Sequence, residues 1–357
     1  MVTQTKPMTL GNIGSLLDRR PIDASAPCRI DFGGTLDISS FHYPLRHMAP
    51  STVNIALDRR TTVRLHPNTG DQVRISSAGL AEAEYYPSTA PYDHPLGLMF
   101  AVADYFQASG VHIDIQSTSP PRSGLGGSSV AAVAVIAAFS KMLIAMGKKG
   151  ISRNRTVLLA HAIEQSVAGV PCGLQDQLAA AFGGVNAWTW PADPELPPFA
   201  GNPLLEGEAL RRLDRHLLVA YLGVTHSSRD VNSTWVRQFI SGNGRENWYE
   251  IAHLTQDFAG AIIRWDMRAA ADAMNRETAI RKAMTPQVLD DMGDRLAAAA
   301  VEAGCGARFT GAGGGGCLWA IGAADAMAAL KPVWEKLLSE RPTAGLLACG
   351  VDTNGVM

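Results

Sequence analysis

The chain has 357 residues, more than one ordinary hydrophobic core organises, and this length predicts two closely packed domains. Hydrophobic residues make up 46% of the sequence and charged residues 18%, as in a globular protein with ample material for its cores. The formal net charge of −2 argues against nucleic acid or an anionic membrane surface as a partner, because both bind basic faces.

Neither the cysteines nor the apolar runs indicate secretion or a membrane. The five cysteines are scattered without a CxxC pair, which predicts free thiols in a cytoplasmic protein, and the first 25 residues lack a signal-like apolar stretch. The apolar run over 130–146 is interrupted by Ser140 and Lys141, so it predicts a buried helix rather than a membrane span. His161 and His226 have no second ligand at metal spacing, which predicts structural roles for both.

The amino-terminal part of the chain alternates between extended and helical patterns. Residues 1–24 show no strong period and predict a peripheral segment. Residues 26–65 indicate extended structure interrupted by a Gly-Gly-Thr turn, and 95–107 carry apolar residues at helical spacing. Residues 111–119 alternate apolar and polar side chains, so they predict a half-buried strand, which a Pro-Pro pair ends.

The rest of the chain mixes helices and strands without strict alternation or a repeat. The patterns predict helices over 128–146, 153–168, 254–265 and 323–339, and strands over 216–223, 318–321 and 345–352. A tight loop and a short helix follow the helix that ends at residue 168. The five prolines of 191–203 predict a linker or an inter-domain crossing. This mixture predicts the α+β class rather than a doubly wound sheet.

The segment PPRSGLGGSSV (120–130) carries the strongest functional signal. Its glycines expose backbone N–H groups at the amino end of a helix, where a phosphate can bind. A Walker A loop is excluded because no lysine lies between Gly124 and Lys141. A dinucleotide fingerprint fails at Ser129, in the third glycine's place, and lacks the acidic residue expected about 20 positions later. The structural alternative is a glycine-rich turn capped by Ser128 or Ser129.

Two further motifs accompany this segment, and the three together resemble the GHMP kinases, the superfamily of galactokinase, homoserine, mevalonate and phosphomevalonate kinases. In chain order they are APCRIDFGGTLD (26–37), PPRSGLGGSSV (120–130) and FTGAGGGGC (309–317). The sugar 1-kinase branch, above all the heptose 7-phosphate kinases, is most similar at HPL (94–96) and GLQDQLAAAFGG (173–184). VTHSS (224–228) is similar to a galactokinase stretch, and the whole resemblance runs from about residue 26 to the end.

The resemblance implies a two-domain α+β fold with the active site in the cleft between the domains. A ribosomal-protein-S5-like, ATP-binding domain would span 1–205 and a ferredoxin-like domain 206–357. It further implies a cytoplasmic enzyme, a monomer or homodimer, that uses ATP and Mg²⁺ and binds neither nucleic acid nor membrane. The enzyme would phosphorylate a hydroxyl, the anomeric one, of a sugar or sugar phosphate of heptose 7-phosphate or hexose type.

The resemblance also places the phosphate and the metal. The residues that would bind ATP are Pro121, Ser123, Gly124, Leu125, Gly126, Gly127, Ser128 and Ser129. Ser128 and Glu164 stand at the positions of the family's magnesium ligands, and hydroxyl and carboxylate oxygens are ligands of the kind that Mg²⁺ binds. From the residues alone, Ser128 could be only a helix cap and Glu164 only a solvated helix residue.

The catalytic and sugar-binding residues follow from the same resemblance. Asp176, in the QDQ of the predicted loop, takes the position of the family's catalytic aspartate, and Arg29 that of the basic residue beside it. From the residues alone, Asp176 is a turn or N-cap residue and Arg29 one half of a structural ion pair. The glycine run of 313–316 would let the backbone approach a substrate or the phosphate loop closely. The residues that would bind the sugar are Gly33, Gly34, Thr35, Asp37, Gln175, Gly313 and Gly314.

Two other functions stay open at this point. A mevalonate-type kinase belongs to the same superfamily, although its members usually place a lysine where Arg29 stands. A non-catalytic sensor that binds sugar and ATP to regulate a partner could have the same fold, but such a protein has no need of Asp176 or Glu164. Their presence favours an enzyme.

Overall fold

The computed structural model describes residues 8–169, 171–225 and 228–357, apart from the side chains of residues 228–230. The strands are β1 (Gly11–Asn12), β2 (Ile22–Phe32), β3 (Ser51–Pro67), β4 (Val73–Ser77), β5 (Ala83–Tyr85), β6 (Ala108–Ser109), β7 (Val111–Ser117), β8 (Val185–Thr189), β9 (Ala200–Pro203), β10 (Leu217–Tyr221), β11 (Gly306–Phe309), β12 (Cys317–Ile321) and β13 (Gly345–Leu346). The helices are α1 (Gly14–Leu17), α2 (Ser39–His42), α3 (Gly97–Tyr105), α4 (Gly127–Ala145), α5 (Arg153–Ala168), α6 (Gln175–Phe182), α7 (Glu208–Leu213), α8 (Ser228–Ile240), α9 (Arg245–Ile263), α10 (Met267–Met284), α11 (Asp291–Glu302) and α12 (Ala324–Leu338).

The first large sheet has seven strands and is organised around β3. Its order is β5-β4-β7-β3-β8-β9, and β2 pairs with β3 as well. At 17 residues, β3 is long enough to pair with β8 through its amino-terminal part and with β7 through its carboxy-terminal part. The pairing of β2 with β3 is antiparallel and shifts register between Pro27 and Cys28. This irregularity immediately precedes Arg29.

The core of this part of the molecule is built on α4. Thirteen of its nineteen residues are buried, and small or β-branched side chains dominate them, which lets the helix contact β2 and β3 closely. Among the described helices, α4 alone is long and apolar enough to cross a membrane, but 72% of its apolar window is buried inside the protein. The expectation of a buried core helix is therefore supported.

A four-stranded antiparallel sheet in the order β11-β12-β10-β13 forms the second part. It packs with α8–α12 around a second core that contains Trp235, Trp248 and Trp334. The two parts meet through apolar rings, since Phe258 of α9 stacks on Phe32 of β2 at 4.3 Å and contacts Trp319 of β12 edge-on at 6.2 Å.

The observed order of elements confirms the α+β class. The predicted boundary at residues 205/206 lies between the end of β9 at Pro203 and the start of β10 at Leu217, and it stays a prediction. The chain end returns to the first sheet, because Met357 and Ser25 exchange backbone hydrogen bonds of 2.9 and 3.0 Å.

Three sequence-based predictions were wrong in part. The segment 1–24 is not merely peripheral, because Leu10, Ile13 and Leu17 are buried in the core. The proline-rich stretch 191–203 does not cross between domains but returns the chain to pair β9 with β8 in the same sheet. The closing strand shortens to β13 and a single bridge between Leu57 and Val351.

Candidate active site

The phosphate-loop segment forms an open helix amino terminus, as predicted. The loop turns at Gly124 and Gly126, whose φ angles of 75° and 82° are in the left-handed region that favours glycine. The N-cap residue is Gly126 rather than Ser128 or Ser129, so the capping alternative is wrong. The first intrahelical bond is donated by Val130 N–H to the Gly126 carbonyl at 2.9 Å, so the N–H groups at the helix end before it have no intrahelical acceptor. They form a site for an anion.

The remaining predicted nucleotide-binding residues differ in exposure. Pro121, Gly127 and Ser128 face solvent, whereas the Ser123 and Leu125 side chains are buried under the loop. A Cβ added at Gly127 would have no neighbour within 4 Å, so the space in front of the helix is free. Residues from 76–80 and 114–117 line an open surface groove of about 460 Å³, and a Cβ added at the neighbouring Gly79 would lie 3.7 Å from Pro121 of the loop segment.

Glu164 of α5 is directed at the start of α4, where the predicted metal site lies. Its two carboxylate oxygens accept hydrogen bonds from Ser128 Oγ at 2.8 Å and Ser129 Oγ at 2.6 Å. Gln177 Nε2 donates a third, at 2.7 Å. Burial raises the pKa of Glu164, and repulsion by Asp176 adds to this, against the opposing effect of the hydrogen bonds.

This set of oxygen donors fits Mg²⁺. The described residues that donate hydrogen bonds to Glu164 are all neutral, so a cation beside the hydroxyl of Ser128 can compensate the charge of the carboxylate. No group of three or more His, Cys, Asp or Glu side chains at metal spacing occurs in the described ranges. That is compatible with Mg²⁺, which keeps several waters and takes few protein ligands when phosphates bind it too.

Arg29 connects Asp176 to the phosphate loop. The Nε atom of Arg29 donates to Asp176 Oδ1 at 2.7 Å, and its Nη1 atom donates to the Gly124 carbonyl at 2.7 Å. Burial lowers the pKa of Arg29, but the charges of Asp176 and Asp31 outweigh burial and raise it. A Cβ at Gly126 would lie 3.1 Å from Asp176 Oδ2, so the carboxylate lies directly beside the loop. The predicted pair is therefore brought together.

The local structure at Asp176 differs from the prediction. Asp176 lies in the first turn of α6 and not in the preceding loop. Its side chain is 23% exposed, whereas that of Arg29 is 4% exposed, so the carboxylate faces the open side of the site. A helix amino terminus also favours a carboxylate electrostatically.

Asp37 and Gln175 form the predicted sugar-binding part of the site. The Gln175 backbone N–H donates to Asp37 Oδ2 at 3.1 Å, and Asn54 Nδ2 donates to Gln175 Oε1 at 3.1 Å. Asp37 Oδ1 is buried without a hydrogen-bond partner. A Cβ at Gly173 would lie only 1.7 Å from Asp37, so glycine is required there. Burial, with repulsion from Asp176, raises the pKa of Asp37 to about 6.

The turn that leads to Asp37 requires unusual backbone conformations. Gly33 has a φ of 68°, and Thr35 has a φ of 81°, which is strained for a β-branched residue. Thr52 Oγ1 donates to the Gly33 carbonyl at 3.2 Å, and Arg281 Nη2 donates to the Gly34 carbonyl at 2.6 Å. These contacts hold the predicted residues Gly33, Gly34 and Thr35 next to Asp37.

The third glycine motif contacts the phosphate loop through its last glycine. A Cβ at Gly316 would lie 2.5 Å from the Ser123 carbonyl, so only glycine permits this approach. Gly314 N–H donates to the Val288 carbonyl at 3.0 Å, and Gly313 also packs against Val288. The close approach to the loop is confirmed, while the sugar contacts of Gly313 and Gly314 stay a prediction.

Sequence reasoning missed four charged residues behind the site: Asp31, Glu277, Arg281 and Arg308. Each is at most 1% exposed. Asp31 Oδ1 accepts a hydrogen bond from the Gly311 N–H at 2.7 Å, and Asp31 Oδ2 from Arg308 Nη1 at 3.1 Å. The available signal was the alternation Arg29-x-Asp31, in which the immediate neighbours Cys28, Ile30 and Phe32 are apolar.

Structural roles were predicted for His161 and His226, and the structure describes the first of the two. The His161 Nε2 atom lies 3.2 Å from the Cys172 carbonyl, in keeping with a structural role. His226, and with it part of the galactokinase-like VTHSS stretch, lies outside the described residues.

With this geometry established, comparison with known proteins identifies the domain. Residues 96–184 match the family model of the GHMP kinases N terminal domain. The chain contains a GHMP kinase N-terminal domain. These residues include the phosphate loop, Glu164 and Asp176, and the order of the other two motifs agrees with the resemblance stated above.

Two curated relatives of the chain are kinases by name. The D-glycero-alpha-D-manno-heptose 7-phosphate kinase of Campylobacter jejuni is 27% identical over 206 residues, which cover 57% of this chain and 58% of that protein. The mevalonate kinase of Pyrococcus abyssi is 25% identical over 332 residues, which cover 85% of this chain and 89% of that one. Both matches agree with the predicted class, a phosphotransferase with a hydroxyl acceptor.

The GHMP kinase fold extends over nearly the whole chain. The crystal structure of Lactococcus lactis galactokinase complexed with galactose superposes with a TM-score of 0.71 at 18% identity. The superposition covers 97% of this chain and 98% of the galactokinase chain. The predicted α+β fold is thereby confirmed, and the superposition agrees with a two-domain arrangement.

The first prediction concerns the buried carboxyl of Asp37. With a pKa of about 6 in the fold and 3.8 as the ordinary value, the folded protein binds the proton more tightly. The free energy of unfolding therefore falls by at most about 3 kcal/mol as pH rises from about 4 to about 6, and it stays at the lower value above pH of about 6. We expect Asp37→Asn to raise Tm at pH of about 7.5 and not at pH of about 4.

Thermal unfolding at the two pH values measures this effect. The exposed Asp18 provides the control, because Asp18→Asn should change Tm by the same amount at both pH values. A gain in Tm of equal size at both pH values would show that the fold does not raise the pKa of Asp37.

Proposed function

We propose that this protein is an ATP-dependent kinase that phosphorylates the anomeric hydroxyl of a sugar or sugar phosphate of hexose or heptose 7-phosphate type. The observation that carries the proposal is the contact of Asp176 with both Arg29 and the phosphate loop. A carboxylate beside a phosphate site can orient a hydroxyl toward the γ-phosphorus and accept its proton.

Each part of phosphoryl transfer has a place in the chain. The amino-terminal end of α4 supplies N–H groups for the phosphates, and the nucleoside would lie in the open groove lined by residues from 76–80 and 114–117. Ser128 and Glu164 would hold Mg²⁺, which when bound neutralises phosphate charge. Asp176 would orient the acceptor and take its proton, while Arg29 keeps the carboxylate in position.

A sugar is favoured as the acceptor by the buried polar atoms beside Asp176. The unpartnered Oδ1 atom of Asp37 can accept a hydrogen bond from a substrate hydroxyl, and without one it remains a buried, unsatisfied acceptor. A polyhydroxylated substrate can engage Asp37 and Asp176 at once. The named relatives include both heptose 7-phosphate and mevalonate kinases, so a mevalonate-type acceptor is the second candidate.

The acceptor is tested by a panel of free and phosphorylated hexoses and heptoses, with mevalonate included, assayed for ATP-dependent phosphorylation. We expect turnover with a sugar and a product that is phosphorylated at the anomeric carbon, identified by NMR. Turnover with mevalonate alone would replace the sugar by the second candidate. ATP and sugar binding without turnover would favour a non-catalytic sensor.

The role of Asp176 predicts a selective loss. We expect Asp176→Asn to lower kcat by about 10²–10⁴-fold and to leave ATP binding nearly unchanged, because asparagine keeps the shape but cannot accept the proton. Single-turnover phosphorylation beside calorimetric ATP binding measures both quantities. A folded variant that keeps most of its kcat would remove Asp176 from the mechanism.

The metal site predicts a change in magnesium dependence. We expect Ser128→Ala and Glu164→Gln each to raise the Mg²⁺ concentration needed for half-maximal rate, because each removes one oxygen ligand. Ser166→Ala, on the same helix as Glu164, is the control, since its hydroxyl donates to the Ile163 carbonyl of its own helix at 2.7 Å. An unchanged Mg²⁺ dependence in both test variants would show that neither residue is a ligand.

A further inference from the structure

Glu277 of α10 is a buried carboxylate between two buried arginines. Its Oε2 atom accepts a hydrogen bond from Arg308 Nε at 2.9 Å, and its Oε1 atom accepts one from Arg281 Nε at 2.9 Å. All three side chains have no exposed surface. Burial raises the pKa of Glu277, but Arg308 and Arg281 outweigh it and lower the pKa, so Glu277 is an anion in the fold.

The first arginine leads from Glu277 to the catalytic pair. Arg308 Nη1 donates to Asp31 Oδ2 at 3.1 Å, and Asp31 Oδ1 lies 3.4 Å from Arg29 Nη1. Arg29 in turn holds Asp176 at 2.7 Å. An unbroken series of charged contacts therefore runs from a helix of the second part of the molecule to the proposed catalytic carboxylate.

The second arginine leads from Glu277 to the sugar-binding turn. Arg281 Nη2 donates to the Gly34 carbonyl at 2.6 Å, and its Nη1 donates to Thr35 Oγ1 at 3.3 Å. Its guanidinium lies 4.6 Å from the ring centres of both Trp235 and Trp248, which restrict its position. Arg281 therefore supports the strained turn that places Asp37.

Stability alone is a weak reason for such a group of buried charges. The desolvation of buried ions costs free energy, and apolar side chains of similar volume often stabilise a core as well or better. The charges here balance, because Arg29, Arg281 and Arg308 face Asp31, Asp176 and Glu277. Removing one member leaves its partners uncompensated, and the remaining side chains must move.

We propose that Glu277 is a positioning residue that fixes the distance between the catalytic carboxylate and the sugar-binding turn. Its one carboxylate holds both arginines. Arg308 leads through Asp31 and Arg29 to Asp176, and Arg281 supports the turn that places Asp37. Without the charge of Glu277, Arg308 keeps Asp31 as its charged partner and can shift toward it. Arg281 loses the carboxylate that fixes its position under the turn. The inference rests on the proposed kinase function and adds a residue that touches neither substrate.

The test compares Glu277→Gln with a matched control, Asp352→Asn. Asp352 is likewise a buried carboxylate paired with an arginine, Arg60, but the side chains of this pair bond Ser25 and the chain end rather than the proposed site. We expect both variants to lower Tm. Glu277→Gln should also lower kcat by about 10²-fold and raise KM for the acceptor, while Kd for ATP stays unchanged. Asp352→Asn should leave kcat and both binding constants as in the wild type.

A double mutant separates positioning from a merely structural role. If Glu277 acts through Asp176, Glu277→Gln should cost much less kcat in the Asp176→Asn background than in the wild type. Equal losses in both backgrounds would overturn the inference, and so would a Glu277→Gln variant that loses Tm but keeps kcat. If Glu277→Gln does not fold, Glu277→Asp keeps the charge but shortens its reach, and unchanged kinetics in that variant overturn the inference as well.

The same measurements distinguish the inference from the proposed function. Wild-type protein that phosphorylates no acceptor of the panel would overturn the proposed kinase and this inference with it. An active wild type whose Glu277→Gln variant behaves like Asp352→Asn would overturn the inference alone.

Discussion

The arrangement of the site depends on one buried guanidinium. Arg29 donates to Asp176 and to the Gly124 carbonyl, both at 2.7 Å, and thereby joins β2, α6 and the phosphate loop in one contact. Since Arg29 is 3% exposed, its charge must be compensated within the protein, and Asp31 and Asp176 share this role. The position of the carboxylate relative to the phosphate site is therefore set by a strand that pairs along most of its length with β3.

Two other carboxylates lack such compensation, and both lie where a ligand is proposed. Burial raises the pKa of both Glu164 and Asp37, and the described residues that donate hydrogen bonds to them are neutral. A fold selected only for stability has no reason to bury an uncompensated acid. A metal at Glu164 and a hydroxyl at Asp37 would supply the missing partners. The unfavourable burial of each carboxylate would then be relieved when its ligand binds, which favours binding. Asp176 and Glu277, by contrast, are each held by an arginine.

Local sequence patterns predicted the elements that carry the site. The alternation over 111–119, the apolar run after Gly127 and the helix ending at Ala168 all reflect contacts between near neighbours, and the structure has β7, α4 and α5 there. The glycines at 124 and 126 indicated a phosphate loop because a left-handed backbone needs glycine wherever it occurs. The pairing of Arg29 with Asp176 came from the family resemblance, since 147 residues separate the two.

The sequence by itself determined the fold class and the glycine turn of the phosphate loop, and its family resemblance supplied the proposed catalytic aspartate. Only the tertiary structure decided that Asp176 begins a helix, that Gly316 rather than Gly313 meets the loop, and that α10 lies behind the site. The physical reason is that the burial of a charged side chain depends on partners that are close in space, and its neighbours in the chain do not reveal them. Glu277 and Arg281 have the spacing of an ordinary exposed helix pair, and their burial depends on a strand and a turn about 240 residues away.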